Sequence, residues 1–466
     1  MIRKISPLII VLIFLLSIQG ASFAQSEDEN PIYIVQSGEN LTQIALKFNI
    51  SVQELISVNN IINANLISEG TQLLIPGISG ISGILTTEPV SFGDSLTSIL
   101  RKNFLSKENF KKLNAITSPA EVYIGSNLIL PQKNDSIGLS NIVFRQTDTL
   151  LSSAIRANKN YWEINQVIDD QKVFTPGDAL FFPDDTEKHA ETVISQSISG
   201  IEIFPLPLTQ GHTAAVYIYA NQPVNLVGQI SDRQFSFFKD EENNYLYAFI
   251  GIHALAEPGL EEMKINGSFE DGETFSTSKM ILITDGGYSQ ESLTVEQTKI
   301  DKNIIDNEAI KVDEIVNIVS PVKYWQSEFR FPVDGALNDG SIGFTSYFGS
   351  RRSYNNGQFY GYHGGLDFEV RLMSLNIYAP APGIIVYTDH MDIRGNTIFI
   401  DHGQGVLSGY AHLNQFFVNV GDFVETGQLI GEIGQTGRVT GKHLHWDIWV
   451  NGNQIDPFGW INRQFP

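Results

Sequence analysis

Four histidines and one aspartate toward the C-terminal end of this chain fall in three frames: His363-Gly364-Gly365-Leu366-Asp367, Tyr410-Ala411-His412-Leu413 and His443-Leu444-His445. Imidazole and carboxylate are ligands that divalent zinc favours. His-x-x-x-Asp followed far downstream by His-x-His therefore proposes a metal site. On a strand, side chains two apart share one face. His443-Leu444-His445 runs on into Trp446-Asp447-Ile448-Trp449-Val450, a strand-like sequence, so both imidazoles point one way and Leu444 faces the core. His363 and Asp367 also share a face, whether that segment is extended or helical. Three ligands drawn from these pairs leave an open fourth position for water, the arrangement of a catalytic rather than a structural zinc site. His412 lies between the pairs and adds a proton-handling group, which hydrolysis needs besides a metal.

The elements that must position these residues are β-strands. From Phe329 onward the chain is glycine-rich. Ile384 to Tyr387, Thr397 to Asp401, Leu429 to Ile433 and Trp446 to Val450 read as strands, and Pro382-Gly383, Gly403-Gln404-Gly405 and Asn451-Gly452 as turns. An all-β catalytic domain is expected. Tyr347, Arg351 and Arg352 lie upstream of the frames and could line a cleft, with no catalytic role assigned. Gly437-Arg438-Val439-Thr440-Gly441-Lys442-His443 looks like a phosphate loop, but its spacing is one short and no Ser or Thr follows Lys442. His390 beside Asp389 reads as a surface histidine.

The chain is long enough for several domains, since one core rarely organises more than about 250 residues. Hydrophobic residues at 42% and aromatics at 11% suit folded units and exclude wholesale disorder. There is no cysteine, which excludes disulfides, zinc–thiolate sites and cysteine nucleophiles. A net charge of -22 argues against nucleic acid as a partner. The N-terminus reads as a signal peptide over residues 1–24. Arg3 and Lys4 form a basic start, Leu8 to Ile18 is an apolar run too short for a membrane span, and Ser22-Phe23-Ala24 offers a cleavage site after Ala24. Membrane attachment is expected only if this segment stays uncleaved.

An internal repeat follows. Val35-Gln36-Ser37-Gly38-Glu39-Asn40-Leu41 recurs as Val90-Ser91-Phe92-Gly93-Asp94-Ser95-Leu96 and, more weakly, as Phe144-Arg145-Gln146-Thr147-Asp148-Thr149-Leu150. Each copy later reaches an asparagine (Asn59, Asn114, Asn165) and closes on an apolar run ending in proline (Pro76, Pro131, Pro183). Leu41, Ile44, Ala45 and Phe48 make one helical apolar face, and Val52, Leu55 and Ile56 another, with Ser51 as N-cap. The expected order is strand, helix, helix, strand, over residues 31–77, 86–132 and 142–184. This pattern resembles the LysM module, a βααβ domain, and the resemblance implies binding to N-acetylglucosamine-containing glycans. The third copy is degenerate, with Thr147 in place of the loop glycine.

Residues 198–297 change character. Ala215 to Tyr219, Val224 to Ile230, Tyr245 to Ile252 and Met280 to Thr284 are β-rich runs, punctuated by Pro258-Gly259 and Asp271-Gly272. An immunoglobulin-like β-sandwich is expected, serving as spacer or docking domain. Its histidines, His212 and His253, read as structural. Residues 298–325 read as a linker with a helical stretch.

The catalytic region, residues 326–466, resembles a known family. Phe331-Pro332-Val333-Asp334-Gly335, His363-Gly364-Gly365-Leu366-Asp367, Ala379-Pro380-Ala381-Pro382-Gly383, Gly395-Asn396-Thr397, Asp401-His402-Gly403, Tyr410-Ala411-His412-Leu413, Gly434-Gln435-Thr436-Gly437 and Asp456-Pro457 are similar to the M23 family, the lysostaphin/LytM-type zinc endopeptidases. The resemblance implies His363, Asp367 and His445 as ligands of one Zn2+ per chain, and His412 and His443 as catalytic histidines. Spacing alone does not choose His445 over His443 as ligand. His402 falls in a turn that the family shares and reads as structural. The implied function is an exported zinc metalloendopeptidase hydrolysing peptide bonds in peptidoglycan stems or cross-links, held on the cell wall by its LysM-like repeats. The alternative is a non-catalytic wall-binding regulator or activator of other hydrolases. All five positions carry the residue that catalysis needs, which favours the enzyme.

Overall fold

The structure is a computed structural model. It describes residues 30–466 except 37, 65–66, 79–80, 117, 119–120, 133–137, 145–147, 157, 162–178, 185–196, 241, 244, 271, 295–300, 338–339 and 370–373. The expected signal peptide, Ser37 of the first repeat, and Thr147 and Asn165 of the third lie outside the described residues. No described helix is long and apolar enough to cross a membrane.

The chain divides into two compact units. One comprises residues 1–86, 105–116 and 129–134, and the other the remainder. In the first unit, strands Ile32–Ile34 and Gln72–Leu74 pair antiparallel, with Ile32 opposite Leu74. Helices Leu41–Lys47 and Val52–Val58 lie between them in sequence. Each starts in a capping box, Asn40 with Gln43 and Ser51 with Glu54. Both partners of a box satisfy amides that the first helical turn leaves without acceptors. Tyr33, Leu41, Ile44, Phe48, Leu55 and Leu73 are buried, and the Tyr33 and Phe48 rings meet edge to face. The repeated asparagine has a structural task. Asn59 donates to Leu55 O and Leu74 O and accepts from Leu74 N, so one amide ties helix to strand. Asn114 makes the same clamp to Ile129, donating to its O and accepting from its N. The second repeat keeps the order, with strand Ile84–Pro89, helices Leu96–Lys102 and Lys107–Asn114, and strand Asn127–Pro131. Of the third, strands Gly138–Val143 and Ala179–Asp184 pair antiparallel and helix Leu150–Arg156 is described.

In the second unit, two sheets face each other. One has the order Arg233–Ser236, Val224–Ile230, Gly259–Phe269, Thr274–Thr284, Leu208–Thr209, and the other Phe238–Lys239, Leu246–Gly251, Thr213–Ala220, Ile198–Phe204. Alternation decides the faces. Val224, Leu226 and Ile230 point inward to meet Val216, Ile218, Ile250, Met263 and Ile265 in one core. This sandwich is not tethered loosely. Phe249 packs with Trp325, Trp460 and Phe465 at ring separations of 5.8–5.9 Å, and the Trp460 indole donates to Thr213 Oγ1. The helical stretch expected before the catalytic region is Lys302–Val316. Its Val312, Ile315 and Val316 are buried against Met391, Phe399 and Leu407.

The C-terminal region is built on a ten-stranded sheet. Its main path runs Gly343–Ser346, Leu366–Glu369, His443–Val450, Val406–Phe416, Gly395–Gly403, Gly383–Met391, Phe423–Val424. The His443–Val450 strand is central. Leu444, Trp446, Ile448 and Val450 are fully buried on its inner face. That leaves His443, His445 and Asp447 on the other.

A candidate metal centre in the C-terminal sheet

Register brings the first two ligand types together. Asp367 lies directly opposite His445 across the antiparallel pair of Leu366–Glu369 and His443–Val450. His363 precedes that strand by a tight loop. A Cβ on Gly365 would sit 2.3 Å from the Trp446 carbonyl, so only glycine lets the loop approach this closely. On the other flank Ala411 lies opposite His445. The Val406–Phe416 strand then changes partner, since Leu413 pairs with Ile433. His412 sits at this hand-over with φ +67°. A non-glycine residue in the left-handed region is costly and is held only where its surroundings dictate it. Here the His412 amide donates to Arg394 O at 2.8 Å.

The donor set fits a cation. His363 Nε2, Asp367 Oδ1 and His445 Nδ1 form a triangle with edges of 2.9, 2.9 and 3.0 Å. Their outer partners fix the imidazole tautomers. His363 Nδ1 is 2.9 Å from Tyr347 O, and His445 Nε2 is 3.3 Å from Asp447 Oδ2. Both partners only accept, so the outer nitrogens carry the protons and the inner ones present lone pairs. With all three groups in that form, three acceptors converge. A proton added to His445 would serve one edge; a divalent ion serves all three. His363 is 2% and Asp367 8% exposed, so water does not relieve the convergence. Among the described residues, this is the group of three that could hold a metal ion.

Burial would lower the His445 pKa, but Asp367 and Asp447 outweigh it and raise it, so His445 is the vertex at which a proton competes with a cation. Burial pushes the Asp367 carboxyl upward, but His363 and His445 outweigh it and hold the group well below the usual carboxylate range. Burial lowers His363 and keeps it neutral. Outside the triangle, burial would raise the Asp447 carboxyl, yet Arg394 at 2.8 Å and His445 keep it ionised. Asp447 also accepts from Trp449 Nε1 and Gln454 Nε2. It thereby fixes the proton on the outer nitrogen of His445. Outer partners of ligating histidines typically contribute about 10–100-fold to metal affinity. Asp447→Asn is expected to weaken zinc by that order, read by competition with a chromophoric chelator.

His412 and His443 stand beside the triangle with ring centres 4.9 Å apart. His412 Nδ1 donates to Thr436 O and His443 Nδ1 to Gly441 O, each at 2.9 Å. In each neutral ring this leaves the lone pair on Nε2. Burial, then the neighbouring histidines His443 and His445, hold the His412 pKa well below its ordinary value. His443 Nε2 is 3.7 Å from Asp367 Oδ1, longer than the triangle's edges. All five residues singled out in the sequence thus meet in one cleft. Arg352 joins them, its Nη2 3.5 Å from Asp367 Oδ2. Arg351 turns away to Ala254 O, and Tyr347 contributes its backbone carbonyl while its side chain is exposed. The sequence reading passed over Asp447, Arg394 and Glu291. For Asp447 the signal was present, because His443, His445 and Asp447 alternate on one strand face.

Three other described histidines, His390, His253 and His402, lie outside this cleft. His390 is exposed and bonds Asn396. His253 meets the Tyr362 hydroxyl at 3.0 Å. His402 is fully buried between Pro382 O and Ser408 Oγ. Burial lowers its pKa from 6.5 to about 4. The folded state therefore favours the neutral ring. The stability this confers is complete above about pH 6.5 and is lost as pH falls toward the folded value, a change on the order of 3 kcal/mol. His402→Asn, which does not titrate, is expected to flatten that part of the profile, read from urea midpoints between pH 7 and pH 4.

The model for Peptidase family M23 matches residues 361–457, and the LysM domain model matches residues 33–76 and 90–131. Peptidoglycan DD-endopeptidase ShyA of Vibrio cholerae is 34% identical over 127 residues, 27% of this chain and 28% of that protein. DD-carboxypeptidase/endopeptidase Mpg of Neisseria meningitidis is 37% identical over 95 residues, 20% of this chain and 22% of that protein. The chain thus matches less than a third of the length of these relatives. A crystal structure of a peptidase M23 from Pseudomonas aeruginosa aligns over 56% of this chain and 96% of its own, at 24% identity and a TM-score of 0.42. The chain carries a Peptidase family M23 domain at its C-terminal end and LysM domains at its N-terminal end.

Proposed function

We propose that this protein is an exported zinc endopeptidase that hydrolyses peptide bonds of peptidoglycan while its LysM domains hold it on the glycan. The observation that carries this reading is the convergence of His363 Nε2, Asp367 Oδ1 and His445 Nδ1, with the imidazoles of His412 and His443 beside it. A zinc ion held by those three residues supplies Lewis acidity, polarising a carbonyl and acidifying water. One of the two, His443 or His412, accepts one proton from the attacking water at its Nε2 and delivers that proton to the leaving amine nitrogen. The low pKa of His412 keeps its Nε2 unprotonated at neutral pH and makes its protonated form a ready donor. Linked glycan-binding domains raise the local concentration of peptide stems. The export signal ending at Ala24 and the domain limits given above belong to the same proposal.

The test is digestion of purified peptidoglycan by the full chain, with and without chelation. New primary amines without new reducing sugar ends are expected, abolished by chelation and restored by zinc. Wall binding with no amine release would leave the non-catalytic regulator as the correct reading.

A further inference from the structure

His253 follows the sandwich strand Leu246–Gly251 in a tight turn, closed by the Ala256 amide on His253 O at 3.0 Å. Two bonds hold this turn against the strands around the metal centre. Arg351 donates from Nη2 to Ala254 O at 2.6 Å, and Arg351 lies directly opposite Tyr362 in the pair of Arg351–Tyr354 with Phe359–Tyr362. Asn453 donates from Nδ2 to Gly251 O at 2.8 Å, which fixes the strand Asn453–Ile455 that carries Gln454. His253 thus meets Tyr362, the residue before the ligand His363, and Gln454 lies on the far side of the same phenol.

The hydrogen bonds here run in one direction. His253 Nδ1 accepts from the Leu255 amide at 3.0 Å. Burial, then Arg233 and Arg351, hold the His253 pKa below its ordinary value. The ring is therefore neutral, with its one proton on Nε2. Nε2 donates to the Tyr362 hydroxyl at 3.0 Å. Burial, then Asp447, keep that phenol protonated, and it donates to Gln454 Oε1 at 2.8 Å. Gln454 then presents Nε2, which donates to Asp447 Oδ2 at 3.1 Å. The other His253 tautomer would take the Tyr362 proton, and the Gln454 amide would turn its oxygen toward the Asp447 carboxylate. The Leu255 amide excludes that sense.

The end of the path bears on a ligand. Asp447 Oδ2 faces His445 Nε2 at 3.3 Å and Arg394 Nη1 at 2.8 Å. Without Gln454, the buried carboxylate is free to turn toward Arg394, and the longer contact to His445 is the one that lengthens. The loop makes room for this amide, since a Cβ on Gly364 would sit 2.3 Å from Gln454 Nε2.

Resting on the zinc reading of the triangle, we propose that His253 is a positioning residue of the metal centre. Through Tyr362 and Gln454 it fixes the Asp447 oxygen that orients the ligand His445. The sandwich is then a working part of the site rather than a spacer.

Zinc affinity of the full chain, measured by competition with a chromophoric chelator, tests this without recourse to activity. His253→Asn keeps an acceptor for the Leu255 amide, as in an Asx-turn, and loses the reach to Tyr362. His253→Phe keeps the ring that meets Tyr362 edge to face at 5.1 Å and loses the donor, so the test stands if either variant folds. Each is expected to weaken zinc about three- to tenfold, at or below the lower end of the range for a direct outer partner of a ligating histidine. Gln454→Met, one link nearer the metal, should lose about tenfold. Adding a His253 change to it should cost less than about a further twofold, because the path is already cut. Thr213→Val removes the acceptor of the Trp460 indole at the same domain junction. It should lower the urea midpoint and leave zinc affinity unchanged, which separates positioning from general loosening. Zinc affinity within about twofold of the unaltered protein in the His253 variants, or losses that multiply with that of Gln454→Met, overturns the proposal. A zinc loss in Thr213→Val as large as theirs also overturns it. An unaltered protein that binds no zinc would instead overturn the metal-centre reading.

Discussion

His412→Ala is expected to retain zinc while losing at least about 10²-fold in turnover. The geometry motivates the split. His412 Nδ1 is engaged with Thr436 O, and its ring centre is 6.1 Å from that of His445, so its Nε2 lies beside the triangle rather than in it. Acid–base and oxyanion groups typically contribute about 10²–10⁴-fold. His443→Ala is expected to behave alike, since its Nδ1 is likewise bound to a carbonyl and its Nε2 faces the same space. If both act on one tetrahedral species, the double variant should lose much less than the product of the single losses. Zinc titration and turnover on the same preparations decide the matter. Retained turnover in His412→Ala would make this histidine structural, despite the strained φ of +67° that holds it in place.

The second large effect separates ligands from bases. His363→Ala and His445→Ala are each expected to lose zinc and all hydrolysis together. Each removes one vertex of the triangle and leaves two donors, too few for a stable zinc site, which draws on three or four protein ligands. His445→Ala also strands the Asp447 carboxylate, whose remaining partners include Arg394 and Trp449. Metal content after dialysis against trace chelator is the readout. Full zinc occupancy in both variants would refute the ligand assignment whatever happened to activity.

Much of this site was legible because its residues obey a local period. His443 and His445 are two apart on a strand, and that alone puts them on one face. The strand itself was seen from Trp446 onward. It starts at His443 because Glu369 lies opposite that residue, a pairing that composition does not announce. The same holds for Gly383–Met391. Its apolar start was readable, but Thr388, Asp389 and His390 stay in the ladder through partners Ile398, Thr397 and Asn396. Backbone pairing carries polar residues past the point where a hydrophobic pattern stops.

What could not be read is long-range register. Nothing local says that Asp367 faces His445 and not His443. That choice rests on family resemblance; the cross-strand pairing places Asp367 opposite His445. Glu291 is the clearest case. The sequence placed it within the residue 198–297 sandwich, yet its strand joins Arg351–Tyr354 beside the metal centre. A parallel pair between distant segments leaves no short-range trace. The helix Lys302–Val316 is similar. Its polarity suggested a linker, but a narrow stripe of Val312, Ile315 and Val316 suffices to dock it, and its Glu308 accepts the Ile393 and Arg394 amides behind the cleft. Phe249 packed on Trp460 means that the catalytic sheet should be studied in the full chain. Cutting at residue 326 would expose that apolar face to water.

The central claim is that His363, Asp367 and His445 together bind one zinc ion while His412 and His443 do not. Anomalous diffraction at the zinc edge, on crystals of the zinc-loaded full chain, tests it most directly. The expected result is one peak per chain, within bonding distance of His363 Nε2, Asp367 Oδ1 and His445 Nδ1. A peak bonded to His412 or His443, or no peak at the triangle in protein that still cleaves peptidoglycan, would contradict it.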